Sequence, residues 1–457
     1  MPRSLAIGPC DRLQSHAVRI RPGEAPATNR VNDSSRSVAL GAISGPFDVV
    51  TILYGEGPRK VASVPAPPVG TVGWVDEFAR GIQTPVCRQP LEGRPVTNPL
   101  DRESLRSRVQ AALTAELDHQ ERVLADLDED LTPLVAPVRT LLAGGKRLRA
   151  AFAYWGYRAA GGADSNALVR FASVMELFQA AALLHDDVMD GSDTRRGMPS
   201  AHRAVAAIHT ERGWVGSSDR FGEATAILAG DLCLQWTDEV YATSGLPAEH
   251  LARGRGTFDR MRTQLMGGQF LDMLESVRGW DDQSTEERIA SARKVIRFKS
   301  AKYTIEQPLL IGALAGGVDP GAVPALSDYG LALGEAFQLR DDLLGVFGDP
   351  EQTGKPAGDD LREGKRTVLM AYTLDNADAK QRAALAQWFG RADLDHEGVD
   401  ALRGIMRATG AVDRVEADIT RLTVQASEAM GRGTAYLRPE ATTVLRELAV
   451  LATDRVT

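Results

Sequence analysis

Two short acidic runs are conspicuous for where they sit. Glu176-Leu-Phe-Gln-Ala-Ala-Ala-Leu-Leu-His-Asp-Asp-Val-Met-Asp190 and Glu335-Ala-Phe-Gln-Leu-Arg-Asp-Asp-Leu-Leu344, the second closed by Gly345, are apolar on nearly every side, as buried helices are. Each carries adjacent aspartates near its end, Asp186-Asp187 and Asp341-Asp342. Asp186 and Asp190 are four apart and Asp187 and Asp190 three, so on a helix these carboxylates share a face. Carboxylates grouped on an apolar helix repel one another and lose hydration, which lifts their pKa values and destabilises the fold unless cations answer them. Mg2+ answers them with chemistry, because it takes a few carboxylates together with water and phosphate oxygens. Two acidic helix ends facing each other across a bundle could clamp a diphosphate through several such ions. The competing reading, a solvated acidic face, is disfavoured by the apolar surroundings. The acids lack the alternating spacing of a calcium loop, and a glycosidase acid–base pair would leave the basic runs unexplained.

Those basic runs are the natural counterpart. Gly144-Gly-Lys-Arg-Leu-Arg149 places two glycines before a cationic first turn, and Lys146 and Arg149 can face one anion beside the free N–H groups of a helix start. It is no Walker A loop, since Thr140 stands where the first glycine is needed and Arg147 where Ser or Thr belongs. Asp193-Thr-Arg-Arg-Gly197 offers two arginines suited to bidentate phosphate contacts. Lys299-Ser-Ala-Lys-Tyr303 puts Lys299 and Tyr303 on one helical face. Any one of these runs alone would more often be solvated surface. Their company with two aspartate clusters argues otherwise.

The elements that must position these groups are helical. Leu105, Val109, Leu113 and Leu117 recur at four-residue spacing after Asp101, an expected N-cap. Helices are expected at 137–142, 148–159, 167–187, 223–244, 258–276, 285–316, 325–345, 366–375 and 399–430, with Pro308 kinking the longest. Alternating apolar–polar runs are almost absent, so the fold class is all-α, a bundle of about ten or more helices. Residues 1–100 differ from the rest: they hold 13 of the 23 prolines in the 457-residue chain and read as a poorly structured N-terminal extension, with an import or regulatory segment as the alternative. Residues 101–457 form the expected domain. The net charge of −8 argues against a nucleic-acid partner, and three cysteines outside any metal spacing suit a reducing cytoplasmic setting. No uninterrupted apolar run approaches about 20 residues, so no transmembrane segment is expected.

From Asp101 onward the chain closely resembles the trans-isoprenyl diphosphate synthases, the head-to-tail prenyltransferases. The resemblance rests on the runs above, in order, together with Ala229-Gly-Asp231, Gly267-Gly-Gln269, Phe337-Gln-Leu-Arg-Asp-Asp342, Thr353-Gly-Lys355 and Asp359-Asp-Leu-Arg-Glu-Gly-Lys365. It implies an isoprenoid synthase-type bundle around a central cavity, a homodimer, and condensation of isopentenyl diphosphate with an allylic diphosphate. By motif position, Asp186 and Asp190, supported by Asp187, are the expected Mg2+ ligands of the first cluster, and Asp341, with Asp342 nearby, those of the second. Three ions per loaded site are expected. Lys146, Arg149, Arg196 and Gln179 resemble the isopentenyl diphosphate contacts. Arg195, Lys299, Ser300, Gln338 and Lys355 resemble the allylic diphosphate contacts, and Lys365 is a further substrate contact. Lys299, Gln338 and Arg195 carry the catalytic roles. Gly345 departs from the pattern, replacing the last aspartate of the second cluster.

Product length should depend on what stands below Asp186 on its helix. Small Ala181 and Ala182 open the first turn, and Phe178 is the expected floor one turn lower, which favours a C20, geranylgeranyl product. Rival readings are a C15 or longer-chain synthase, a non-catalytic prenyl-diphosphate-binding subunit and a terpene cyclase. The intact charged set argues against the subunit, and the second anion site at Lys146 and Arg149 against the cyclase.

Overall fold

The computed structural model describes residues 98–280, 282–349 and 358–453, all within the unit 91–457. The expected extension over 1–100 lies outside the described residues except for its last three, as does Lys355. The described chain is all-α, as expected. Its helices are α1 (Leu105–Ala125), α2 (Thr132–Leu142), α3 (Leu148–Ala159), α4 (Asn166–Met189), α5 (Ala201–Glu211), α6 (Ser218–Thr243), α7 (Ala248–Val277), α8 (Thr285–Val295), α9 (Gln307–Ala315) and α10 (Val323–Phe347). The C-terminal series is α11 (Asp359–Arg362), α12 (Val368–Asn376), α13 (Ala379–Trp388), α14 (His396–Ala408), α15 (Ala411–Gly433) and α16 (Pro439–Thr453). A small antiparallel hairpin, β1 (Thr194–Arg195) with β2 (Met198–Pro199), interrupts the helices after α4.

Four local expectations are corrected. Asp101 does not cap α1: Ser104 precedes that helix with a left-handed φ of 55°, and Asp101 instead accepts a 2.8 Å hydrogen bond from Arg106. The expected helix 285–316 is divided twice, at Ile296 as well as beside Pro308. Residues Ile296–Glu306 wind as a π-helix, and α-helical winding resumes at Gln307 with Pro308 in the first turn of α9. The expected helix 399–430 is two helices, because Gly410 takes φ 70° and closes α14. The sequence does not predict α5, α11, α13 or α16.

Two hydrophobic cores share α10. Leu326, Tyr329, Leu333 and Phe337 belong to the larger core, built with α1–α4, α7, α9 and α16. Leu339, Leu343 and Val346 belong to the second, built with α8 and α12–α15. A helix that serves a core on each side must be apolar nearly all round, which is the pattern read from its sequence. Among the described residues α4 alone has the length and hydropathy to cross a membrane, and 72% of its most apolar window is buried inside the bundle. It is a core helix. Ser165 caps its start by accepting from the Leu168 N–H at 3.1 Å.

Candidate active site

The C-terminal end of α4 presents the first aspartate cluster. Asp186 accepts hydrogen bonds from Lys299 Nζ at 3.0 Å and Gln269 Nε2 at 2.8 Å, and the Arg195 guanidinium stands 3.6 Å away. Burial would lift its carboxyl, but Lys299 and Arg195 outweigh that and hold it below the usual carboxylate range. Asp187 is buried and bound by Arg195, whose Nε donates at 2.8 Å. Burial works against the charge on Arg195, and Asp187 and Asp186 more than offset it. Asp190 ends the helix and reaches solvent, yet the protein packed around it and the charge of Asp186 push its carboxyl up to about 6.

The β1–β2 hairpin explains the paired arginines. Arg196 and Gly197 both take positive φ, 55° and 74°, the conformation of the tight turn that matches strand twist. Arg195 thereby faces the aspartates, while Arg196 donates to the carbonyls of Leu141 and Gly144 at 3.2 and 3.1 Å. Burial and the like charges of Arg147, Arg195 and Arg149 depress the Arg196 pKa. The hairpin thus joins the acid cluster to the Gly144–Arg149 loop.

In that loop Arg147, assigned no role from sequence, turns inward. It is 4% exposed, takes a left-handed φ of 57°, and lies 3.4 Å from Glu176, itself buried on α4. Glu176 also accepts the Ala150 N–H at 3.1 Å. The loop is therefore anchored through its middle residue, leaving Lys146 exposed on one side and Arg149 half-buried on the other. Arg149 donates to Tyr303 Oη at 2.7 Å and Thr304 Oγ1 at 2.9 Å, with its guanidinium 4.3 Å from the Tyr303 ring centre. Tyr303 in turn donates to Gln179. Arg149 and Gln179 are thus brought together, with Tyr303 as the link.

Lys299, Ser300 and Tyr303 all lie on the π-helical stretch. Lys299 is clamped between Asp186 and Asp272, whose carboxylate it meets at 2.6 Å. Burial alone would discharge it; the two aspartates keep it firmly charged. Asp272 and the role of Gln269 escape the sequence reading, although Gly267-Gly-Gln269 is among its motifs and Asp272 follows Gln269 by three on the same face of α7. Gly268 has its own reason: a Cβ there would stand 2.6 Å from the Lys299 backbone nitrogen, so glycine lets α7 press against the lysine's own segment.

The second cluster is organised in parallel. Asp342 is buried and accepts from Gln338 at 2.9 Å and from Lys365 at 3.1 Å; Lys365 also lies 3.7 Å from Asp360. Asp341 precedes Asp342 on α10 and is half-buried. Asp342 and Asp360 keep Lys365 charged against burial, and Asp272 contributes to the same effect. Asp272 therefore acts on the lysines of both clusters, and Arg195 likewise feels Glu363 from the α11 side.

In this arrangement the chain's own lysines lie between the carboxylates, and among the described residues no three acidic, histidine or cysteine side chains converge on one point. The donor chemistry nonetheless fits Mg2+. The candidate ligands are carboxylate oxygens, and neighbouring His185 is engaged with the Ile227 carbonyl. Below the cluster, Ala181 is buried, Ala182 half-buried, and Phe178 fully buried edge-on to Tyr303, with ring centres 6.3 Å apart. Phe178 also borders an open cleft of about 320 Å3, lined further by Leu234, Asp259, Arg262, Thr263 and Met266.

The polyprenyl synthetase family model matches residues 132–406. The chain is similar in structure to a geranylgeranyl pyrophosphate synthase from Corynebacterium glutamicum, crystallised with isoprenyl diphosphate and magnesium. The match has a TM-score of 0.73 and 42% identity, covering 78% of this chain and 99% of that one. In sequence it is 32% identical to the short chain isoprenyl diphosphate synthase of Methanothermobacter thermautotrophicus, over 58% of this chain and 74% of the relative. It is 33% identical to the octaprenyl diphosphate synthase of Escherichia coli, over 55% and 70%.

Proposed function

The chain belongs to the polyprenyl synthetase family, whose members are divalent-metal-dependent prenyltransferases, and on that premise we propose a specific reaction. It condenses isopentenyl diphosphate head-to-tail with an allylic diphosphate, with Mg2+, to give geranylgeranyl diphosphate. The observation that carries this reading is the geometry at the end of buried α4, where Lys299 Nζ stands 3.0 Å from Asp186 and 2.6 Å from Asp272 and Arg195 binds Asp187.

Asp186, Asp190 and Asp341, with Asp187 and Asp342 behind them, would hold the ions, three in the loaded site. When bound, Mg2+ supplies positive charge that stabilises the departing diphosphate. The chain's part is to bind, orient and keep water out. Lys146, Arg149, Arg196 and Gln179 take the diphosphate of isopentenyl diphosphate, with Tyr303 fixing the geometry of Arg149 and Gln179. Arg195, Lys299, Ser300, Lys355 and Lys365 take the allylic diphosphate. As its C–O bond breaks, fixed cations answer the growing negative charge without reorganising, which is where such sites lower the barrier. Gln338 steadies the allylic cation, the isopentenyl double bond attacks it, and the released diphosphate removes the proton.

Phe178 lies two turns before Asp186, about 12 Å along the helix axis, and sets the C20 stop. A longer product is the second reading, favoured by the cleft that borders Phe178 and by the octaprenyl-forming relative. The enzyme acts as a homodimer. Met266, Phe270, Met273 and Val277 form an exposed apolar stripe on α7, and Ile227 and Leu228 are exposed on α6, which supports pairing of two copies. A cytoplasmic setting agrees with Cys233, a buried free thiol. Purified protein incubated with isopentenyl diphosphate, each allylic starter and Mg2+, with products sized chromatographically, tests the reading. Absence of any chain extension refutes it.

A further inference from the structure

Three helical walls can be followed down from the first aspartate cluster. Asp186 on α4 and Asp272 on α7 both meet Lys299 Nζ, at 3.0 and 2.6 Å. Both helices run antiparallel to the segment that carries Lys299. Gln179 and Phe178 lie against Tyr303, four positions beyond the lysine, and Gln264 meets Gln307, eight beyond it. Phe178, Gln264 and Gln307 are therefore each eight positions from the group that their own wall sends to the meeting point. On α4 and α7 that is about 12 Å, so the three stand at one depth. Gln307 is 2% exposed; its Nε2 donates to Gln264 Oε1 at 2.8 Å, and its own Oε1 accepts no hydrogen bond among the described residues. A buried amide with an open acceptor costs stability, and packing alone would be better served there by a hydrocarbon side chain.

We infer that the Gln264–Gln307 hydrogen bond is a bar across the groove that takes the prenyl tail, and that this bar and Phe178 together set product length. The inference rests on the proposed function and adds two specificity-determining residues to it. Phe178 closes the α4 wall, and the bridged amides join the other two walls at the same level. A growing hydrocarbon tail brings no donor to Gln307 Oε1 and must part the amides to pass. Held by their bond, two otherwise flexible side chains stay in its path; without the bond each is free to rotate aside.

The test sizes the products of the full-length protein supplied with isopentenyl diphosphate, a C15 allylic diphosphate and Mg2+. Gln307→Ala should lengthen the longest product by about one C5 unit, since one helical turn of clearance is about 5 Å. In a Phe178→Ala background it should lengthen the product more than either change alone. Gln264→Ala removes the same bridge from a half-buried position and should act alike where Gln307→Ala folds poorly. The Michaelis constant for isopentenyl diphosphate should stay within about twofold of wild type; a larger rise alongside longer products would mark general loosening of the bundle and overturn the assignment. Product length unmoved in both backgrounds overturns it as well, as does a loss of turnover with the wild-type product. If the wild-type chain extends nothing, the proposed function falls and this inference with it. If it makes C20 and the variants do too, the inference alone falls.

Discussion

The buried pair of Arg147 and Glu176 makes the sharpest test of how the isopentenyl diphosphate loop is held. Arg147 is 4% exposed and Glu176 5% exposed, with 3.4 Å between charged atoms. At an effective dielectric of about 20, two charges at that distance attract by roughly 5 kcal/mol, a gain that desolvation of both groups largely cancels. The pair is therefore worth little net, but breaking it is expensive. Glu176→Ala leaves a buried guanidinium without its acid, at about 3–5 kcal/mol, and strips the Ala150 N–H of its acceptor, at about 1 kcal/mol more. Arg147→Met with Glu176→Leu removes both charges together and should recover all but about 2 kcal/mol. Urea unfolding at fixed protein concentration measures these values, and the Michaelis constant for isopentenyl diphosphate should rise in Glu176→Ala as Lys146 and Arg149 lose their anchor. A cost below about 1 kcal/mol for Glu176→Ala, or a double variant less stable than either single one, refutes the reasoning.

Gly268→Ala should lower turnover about tenfold and stability by about 1–3 kcal/mol, since its Cβ would stand 2.6 Å from the Lys299 backbone nitrogen; steady-state kinetics with denaturation checks both. Asp190, with its carboxyl pushed up to about 6, should make Mg2+-supported activity climb as pH rises through 6, because a protonated acid is a poor ligand. The sign for stability is opposite. A raised carboxyl pKa means the folded state binds more protons than the unfolded one between about 4 and 6, so the metal-free protein loses stability as pH rises through that window, and Asp190→Asn should flatten both profiles. Phe178→Ala should lengthen the product beyond C20 on chromatographic sizing, and an unchanged C20 product would put the stop elsewhere.

Legibility in the sequence depends on range. The acid pairs, the i, i+4 relation of Asp186 and Asp190, and the all-α class depend on neighbours along the chain, and spacing reveals such relations. Arg147 escapes notice because its sequence context is cationic on both sides, and only the packing of α4 against α3 supplies Glu176. Asp272 lies three residues beyond a recognisable motif, yet its importance comes from Lys299, 27 residues away. The π-helical winding that starts at Ile296 leaves no mark in a stretch that reads as ordinary helix, so the sequence shows only its far end, beside Pro308. Gly345 is visible as a departure, but the carboxylate that stands beside it, that of Asp360, comes from 15 positions downstream on another helix.

That winding has a consequence of its own. Between Ile296 and Glu306 the helix is wider than its composition favours, and neighbouring elements keep it so. Deleting one residue within this stretch would let it relax towards ordinary α-helix and shift Lys299 and its neighbours by a position against their partners on α4 and α7. Lys299 would swing away from Asp186 and Asp272 while the total helix content hardly changed. Circular dichroism would then report an intact protein, and the lesion would show itself only when substrate was offered.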